Sequence, residues 1–323
     1  MQSQRIAVAG GTGGIGQHVV EGLLEIKAKC SLHIIVLSRS VRSDIFFAGS
    51  SAPVLAVDYN DIANLAKVLN EHQIDTVLST LSSPDPAVFA ATQGNLLSAA
   101  LRVPTVHRFS PSEYTHDSSA LAEIIPYARS KIEILEPLKQ IKAMRGSNFE
   151  FTLFHTGAFM NYLAVGNPKP DGAKALGHIT PFPYVFDFKN LKANVPGDGE
   201  RRMVFTATED IGKFVAAATQ LATWEEHSEM KGDWVTFNQI ISMAESILGG
   251  NILFSQKRSM PSTIVTAGIG GSPPSFTNLY LFIYLAIING NYEMMRPFNL
   301  NEAVGNAVKP ITVKEFLERW WGL

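Results

Sequence analysis

The residues with the plainest chemical use stand near the start of the chain. Gly10, Gly13 and Gly16 recur at three-residue spacing inside a glycine-rich run that also holds Thr12, Gly14 and Ile15. A tight turn needs positive φ, which glycine adopts cheaply. Missing side chains also let backbone N–H groups approach a pyrophosphate at a helix N-terminus. Gly10, Thr12, Gly13, Gly14, Ile15 and Gly16 therefore form a candidate phosphate cradle. Their spacing is G-x-x-G-x-x-G, a variant of the dinucleotide-binding fingerprint, and a glycine-rich surface turn is the alternative. A second apolar run ends at Ser38-Arg39-Ser40, where an NAD site would carry an acidic residue for the ribose 2′-hydroxyl. Arg39 can pair instead with the 2′-phosphate of NADP, with Ser38, Ser40 and Arg42 as further donors. A solvated surface arginine is the alternative there. Asp58, with Tyr59 and Asp61 beyond it, is placed to meet an adenine ring. Either aspartate equally suits a helix cap.

The elements around these residues must position them. Residues 6–9 are a short uncharged apolar run, as a strand buried on both faces would be. Ile15, Val19, Leu23 and Ile26 then recur at helical spacing. Further strands are predicted at residues 32–37, 53–57, 76–81, 105–109 and 150–155, with helices over 61–71, 84–101 and 126–144. Pro137 should kink or interrupt the last of these. Strands alternating with helices imply an α/β fold of the Rossmann type, a doubly wound parallel sheet. Beyond residue 156 the pattern changes. Residues 167–194 are rich in Pro, Gly and aromatics, an irregular but partly buried segment. Helices are predicted from 208, over 236–248 and over 312–321, the last with a capping box of Thr312 and Glu315. The division expected is a dinucleotide-binding domain at 1–157. Residues 158–323 would supply most of a substrate pocket and return in part to the sheet.

Composition narrows the function. The 323 residues carry 27 basic and 29 acidic side chains, a formal net charge of −2. With no long basic run, a nucleic-acid surface is excluded. The single cysteine, Cys30, allows neither an intramolecular disulfide nor a cysteine-rich metal site. The remaining histidines show no metal-ligand spacing, so no metal is expected. The glycine loop arrives by residue 10, leaving no room for a signal peptide, and the apolar run at 279–288 is too short to span a bilayer. A soluble cytoplasmic protein, monomer or homodimer, is the expectation.

Several segments together resemble a known family. They are the loop at Gly10–Gly16, Arg39, the run Phe109-Ser110-Pro111-Ser112-Glu113-Tyr114, Lys131, Glu209-Asp210-Ile211-Gly212-Lys213 and the ending from Lys309 to Leu317. The chain is similar to the isoflavone-reductase-like branch of the NmrA-like proteins, atypical short-chain dehydrogenases/reductases, over nearly its whole length. The resemblance implies reduction of a phenolic or other aromatic small molecule with NADPH as cofactor. It makes Lys131 the catalytic residue, and it implies that Thr80, Leu81 and Phe109 to Ser112, with Ser110 and Pro111 between, line the nicotinamide side. The sequence departs from that branch in one respect. Tyr127 and Lys131 form the Tyr-x-x-x-Lys pair of ordinary short-chain dehydrogenases and share a helix face. A lysine beside a phenol lowers the phenol's pKa and favours proton transfer; chance spacing on a helix is the alternative.

His155, Phe159, Asn161 and Tyr162 follow the sixth predicted strand, at the carboxyl edge where such sheets bind ligands. They are candidate substrate residues, although His155 equally suits a satisfied core position. Phe182, Tyr184, Phe186, Phe276, Tyr280 and Tyr284 are candidates for a pocket wall, with core packing as the alternative. Three functions fit this pattern. One is an NADPH-dependent reductase of an aromatic or polyketide-like small molecule. The others are an NADP-binding regulator without turnover and a non-redox isomerase or cyclase on the same scaffold.

Overall fold

A computed structural model describes residues 2–182, 185–249, 256–271, 278–293 and 296–322. The chain opens with β1 (Arg5–Ala9), α1 (Gly14–Cys30) and β2 (His33–Ser38). It continues with β3 (Val54–Ala56), α2 (Ile62–Glu71), β4 (Thr76–Ser79), α3 (Pro86–Leu101) and β5 (Arg108–Ser110). Then come α4 (Pro126–Ile132), α5 (Leu135–Arg145) and β6 (Glu150–Phe151). These six strands form one parallel sheet in the order β3-β2-β1-β4-β5-β6. The order reverses between β1 and β4, so the loop after β1 opens at the point where such sheets bind ligands.

Alternation along β1 explains its burial. Ile6 and Val8 face a core shared with Val19, Val20 and Leu23 of α1, whereas Ala7 and Ala9 face Leu65, Leu69, Leu96 and Leu138 of α2, α3 and α5. Ile6, Ala7, Val8 and Ala9 are completely buried, as a parallel strand covered on both faces requires.

Several elements differ from the sequence prediction. The helix expected over 126–144 is two helices, and the break at Glu133–Ile134 precedes Pro137. Pro137 lies in the first turn of α5, where a missing N–H costs nothing. The strand expected over 105–109 is confined to β5. The strand expected over 150–155 divides, since only β6 stays in the main sheet. The next strand, β7 (Leu153–His155), leaves the sheet to pair in parallel with a later strand at His227–Glu229. A hairpin of Ile45–Phe47 with Ser50–Ala52, absent from the prediction, connects β2 to β3.

Beyond residue 157 the chain builds a second core around Met160, Phe205, Phe237, Phe316 and Trp320, which also takes in Leu121, Ile125 and Ala128. It returns to the first half through α6 (Thr208–Thr219), whose Ile211, Phe214 and Val215 complete the α1 side of the sheet. The helices meet at glycines: a Cβ on Gly22 would lie 2.3 Å from the Gly212 carbonyl oxygen. Arg108 secures the far end of α6. It is fully buried, donating to the Thr219, Leu221 and Ala222 carbonyls at 3.2, 2.9 and 3.1 Å and pairing with Glu150 at 2.8 Å. A guanidinium there answers both the orphan carbonyls and the negative end of the helix dipole. The strand at His227–Glu229, labelled β8, then lies beside β7. Farther on, α7 (Leu279–Ile288) is the most apolar helix described; no helix among the described residues is long and apolar enough to cross a membrane.

Candidate active site

The glycine loop has two functional parts. Gly10 (φ +80°) and Gly16 are closely surrounded. A Cβ on Gly16 would lie 2.4 Å from both the Gly10 carbonyl oxygen and the Thr80 hydroxyl, so α1 approaches the β1 and β4 ends as closely as backbone permits. Gly13 and Gly14 (φ +51°) instead face open space, with nothing within 4 Å of a built Cβ. Gly13 caps α1 without any side-chain acceptor, and no acidic residue occupies the first turn. The N-terminal N–H groups and the positive end of the helix dipole are thereby left for an anion. A dinucleotide pyrophosphate fits such a cradle, with Thr12 and Ile15 on its rim.

The neighbouring strand ends agree with this arrangement. Thr80 donates to the Ala9 carbonyl at 2.8 Å and Leu81 follows it at the β4 edge. Ser38 is buried at the end of β2, and Arg39 beyond it is exposed, free to meet a phosphate. Tyr59 is buried with its hydroxyl donating to the Leu37 carbonyl at 3.0 Å. The two aspartates separate. Asp61 caps α2 through the Asn64 N–H at 2.9 Å, whereas the exposed Asp58 carboxylate accepts the Asn60 N–H in a tight turn.

The second part of the site lies past the end of β5. A cavity of about 330 Å³ is walled by Tyr114, Thr115, His116, Ser118, Leu121, Ile125, Tyr127, Ala128 and Lys131. Gly157, Ala158, Phe159, Tyr162, Phe182, Leu279, Ile283 and Tyr292 form its other wall. The part before residue 157 thus supplies as much of the wall as the later part, which was expected to supply most of it. Lys131 is anchored by its ammonium, which donates to the Ser112 carbonyl at 3.1 Å and also to that of Glu113. Burial pushes its pKa below the usual lysine range, and the Glu113 carboxylate opposes the shift.

Tyr127 also faces the cavity, its ring tilted against that of Phe89 with centroids 5.5 Å apart. Its phenol does not behave as the Tyr-x-x-x-Lys spacing predicts. Burial raises its pKa, and only hydrogen bonding to the Ser83 backbone opposes this. Lys131 stands 5.9 Å from the ring centroid as a cation over a π face. Sharing a helix face brings the two side chains together, while burial works against ionising the phenol.

The remaining candidates divide. Phe159, Tyr162 and Phe182 line the cavity. Asn161 does not: fully buried, it accepts the Thr208 N–H at 2.8 Å and donates to the Ala175 carbonyl at 2.9 Å. It thus supplies the cap that Ala207, the residue before α6, cannot. His155 does not line the cavity either. It is fully buried behind the wall, 2.9 Å from His227, and burial holds its pKa down at about 3. Ser110 is buried beneath Pro111, with its hydroxyl 3.5 Å from that residue's own carbonyl. Phe186 and Tyr284 belong to the second core, and Tyr280 is exposed. Tyr184 and Phe276 lie outside the described residues.

Sequence reasoning missed His116, which is buried with Nε2 unpartnered among the described residues and its ring edge-on to Tyr292 at 4.5 Å. Its position two residues after the Phe109–Tyr114 run was the available signal. Folding also gathers two clusters that spacing could not show, His18–Glu21–His178 and Asp117–His155–His227, each with potential ligand atoms within 4.8 Å of one another. Their hydrogen bonds oppose metal binding. His18 Nε2 already accepts the His178 N–H at 3.2 Å, which keeps the other nitrogen protonated toward Glu21. In the second cluster His155 pairs with His227, and Arg296 stands 2.8 Å from the Asp117 carboxylate.

Comparison with known proteins decides the family. The model of the NmrA-like family matches residues 2–266. The chain belongs to the NmrA-like family. Among curated relatives, the oxidoreductase BOA1 of Botryotinia fuckeliana is 33% identical over 245 residues, 76% of each chain. Eugenol synthase 1 of Petunia hybrida is 23% identical over 332 residues, covering 99% of both. Among solved structures, the NADPH complex of leucoanthocyanidin reductase from Vitis vinifera superposes with a TM-score of 0.72 at 20% identity, covering 98% of this chain and 99% of that one. AtPrR2 with NADP+ and (+)pinoresinol gives 0.74 at 19% identity, covering 99% of each.

Proposed function

We propose that this NmrA-like chain is an NADPH-dependent reductase of an aromatic or polyketide-like small molecule, with Lys131 as the proton donor. The carrying observation is Lys131 itself, a lysine held by two backbone carbonyls in the wall of a mostly apolar cavity. A relative named as an oxidoreductase and an NADPH-bound reductase of the same fold support the same chemistry. In this reading Gly10 to Gly16 hold the pyrophosphate, Arg39 meets the 2′-phosphate, and Thr80, Leu81, Pro111 and Ser112 border the nicotinamide. NADPH supplies a hydride. The chain's own residues do the rest: Phe159, Tyr162 and Phe182 enclose an aromatic ligand, and Lys131 neutralises the negative charge that develops as the hydride arrives. Tyr127 assists by shape and polarity rather than as an ionised partner. A cytoplasmic location accords with a single unpaired cysteine.

The test is the rate of NADPH oxidation with (+)-pinoresinol and a panel of related phenolic ethers and enones. Lys131→Met should lower kcat by roughly 10²–10⁴ and leave NADPH affinity nearly unchanged. Weaker cofactor binding in its place would make Lys131 a ribose anchor. A larger loss in Tyr127→Phe than in Lys131→Met would transfer the acid role to the tyrosine. NADPH binding without turnover of any panel member would favour a regulator, and product formed without redox change an isomerase.

A further inference from the structure

Lys131 reaches the cavity on a flexible four-carbon stem, yet its ammonium is held by the carbonyls of two successive residues, Ser112 and Glu113. Along an extended chain successive carbonyls point to opposite sides, so two in a row cannot meet one nitrogen. The backbone between β5 and the short helix Ser118–Leu121 overcomes this by folding twice.

The first fold is a three-residue turn at Ser112, closed by the Glu113 N–H on the Pro111 carbonyl at 3.0 Å. The second is at Tyr114, whose φ is +39°. Left-handed backbone crowds the Cβ of any residue but glycine. Of the non-glycine residues with positive φ among those described, only Tyr114 is buried. Rotation about φ at Tyr114 sets the direction of the peptide before it, and hence of the Glu113 carbonyl. A left-handed tyrosine persists only where its surroundings over-determine it.

Three contacts do so here. Glu113 Oε1 reaches across the turn to accept the Ser118 N–H at 2.7 Å, and both residues are buried. The Thr115 carbonyl accepts the Thr156 N–H at 2.9 Å, which ties the chain to the end of β7. The Tyr114 ring lies over Phe154 with centroids 6.1 Å apart.

We propose that Glu113 and Tyr114 are positioning residues for Lys131. The link from the Glu113 side chain to Ser118 holds the left-handed turn at Tyr114, and that turn holds the carbonyl pair on the ammonium. With two hydrogens so occupied, the third is left for the cavity. This rests on the reading of Lys131 as the acid. Neither positioning residue exchanges a proton. Their contribution is to fix, before the substrate arrives, a side chain whose rotamer freedom would otherwise have to be lost at each turnover.

The test needs no substrate. In NADP+-loaded protein carrying lysine labelled with 13C at Cε, NMR relaxation should give the Lys131 Cε methylene an order parameter above about 0.6. Glu113→Ala removes the link and should bring that value below about 0.6. Ser118→Pro should do the same and guards against misfolding of the first variant. It deletes only the N–H that Glu113 uses, at the first position of a helix, where proline is tolerated. Glu113→Gln keeps an acceptor oxygen for Ser118 and should restore the native value. A purely structural role would lower the melting temperature of these variants and leave Lys131 as ordered as before. A mobile Lys131 in the native protein, native order in both link-breaking variants, or loss of order in Glu113→Gln would each overturn the proposal. The Lys131→Met kinetics are a separate measurement, so failure of this positioning cannot pass for failure of the acid assignment.

Discussion

The glycine loop after β1 and the cavity beside Lys131 offer a ligand opposite means of binding. The loop works through missing side chains: Gly13 and Gly14 clear space, Gly10 and Gly16 admit close approach, and the charge offered is that of backbone N–H groups. The cavity works through side chains. Its polar groups are a lysine drawn below its usual pKa, a tyrosine pushed above its own and a histidine kept neutral by burial. A backbone cradle cannot be tuned by substitution, only destroyed. A side-chain cavity can change its chemistry while keeping its shape.

Substitutions that touch one region at a time sharpen this contrast. The largest effect is expected at Gly16, where a Cβ meets two fixed atoms at 2.4 Å. Gly16→Ala should cost about 3 kcal/mol in cofactor affinity or folding. By titration calorimetry an aromatic ligand should still bind wherever the protein remains folded, and loss of both together would break the separation. Arg39→Ala should narrow the preference for NADPH over NADH by about 1.5–3 kcal/mol without abolishing NADH binding. Equal wild-type affinities for the two cofactors would contradict the role given to Arg39.

A cavity residue should show its effect through pH. Burial holds the His116 pKa at about 3, against 6.5 for the ordinary side chain. Between those values the unfolded chain binds more protons, so stability rises with pH across that window and is lost as the pH falls. His116→Phe should flatten the thermal-melting profile between neutral pH and pH 5 by about 1 kcal/mol per pH unit. The smallest effect belongs to neither region. Asp61→Ala removes the α2 cap and should cost about 1 kcal/mol in denaturant unfolding, with cofactor affinity unchanged.

The glycine cradle was legible because its parts are adjacent in the chain: strand, turn and helix follow within residues 5–30. The six-strand alternation was legible for the same reason, as was the Thr312–Glu315 capping box, which is present in full. What failed depended on distance. His155 follows a strand as a ligand residue should, but that strand leaves the sheet to meet β8, which carries the imidazole behind the cavity. Asn161 was committed to a helix that begins at Thr208. The aromatics at 276–284 pointed to this segment as a pocket wall, but the residues of α7 that face the cavity are Leu279 and Ile283, with Tyr292 beyond them. Tyr127 and Lys131 are neighbours, as their spacing implied, but the choice between a titrating couple and chance spacing turns on desolvation, which spacing does not show.

The glycine-to-glycine contact of α1 with α6 bears on how this chain can be divided. Two helices touching through backbone leave no flexible side chain between them to absorb a shift, so a displacement of one is handed directly to the other. The helix proposed to present its N-terminus to the pyrophosphate is splinted by a segment that follows it by nearly two hundred residues, with Arg108 as the pin. The nucleotide-binding portion is therefore not a portable module ending near residue 157. Severed there, it would lose the splint and bare the α1 face of the sheet, so fusions, truncations and domain exchanges should keep residues 1–222 as one piece.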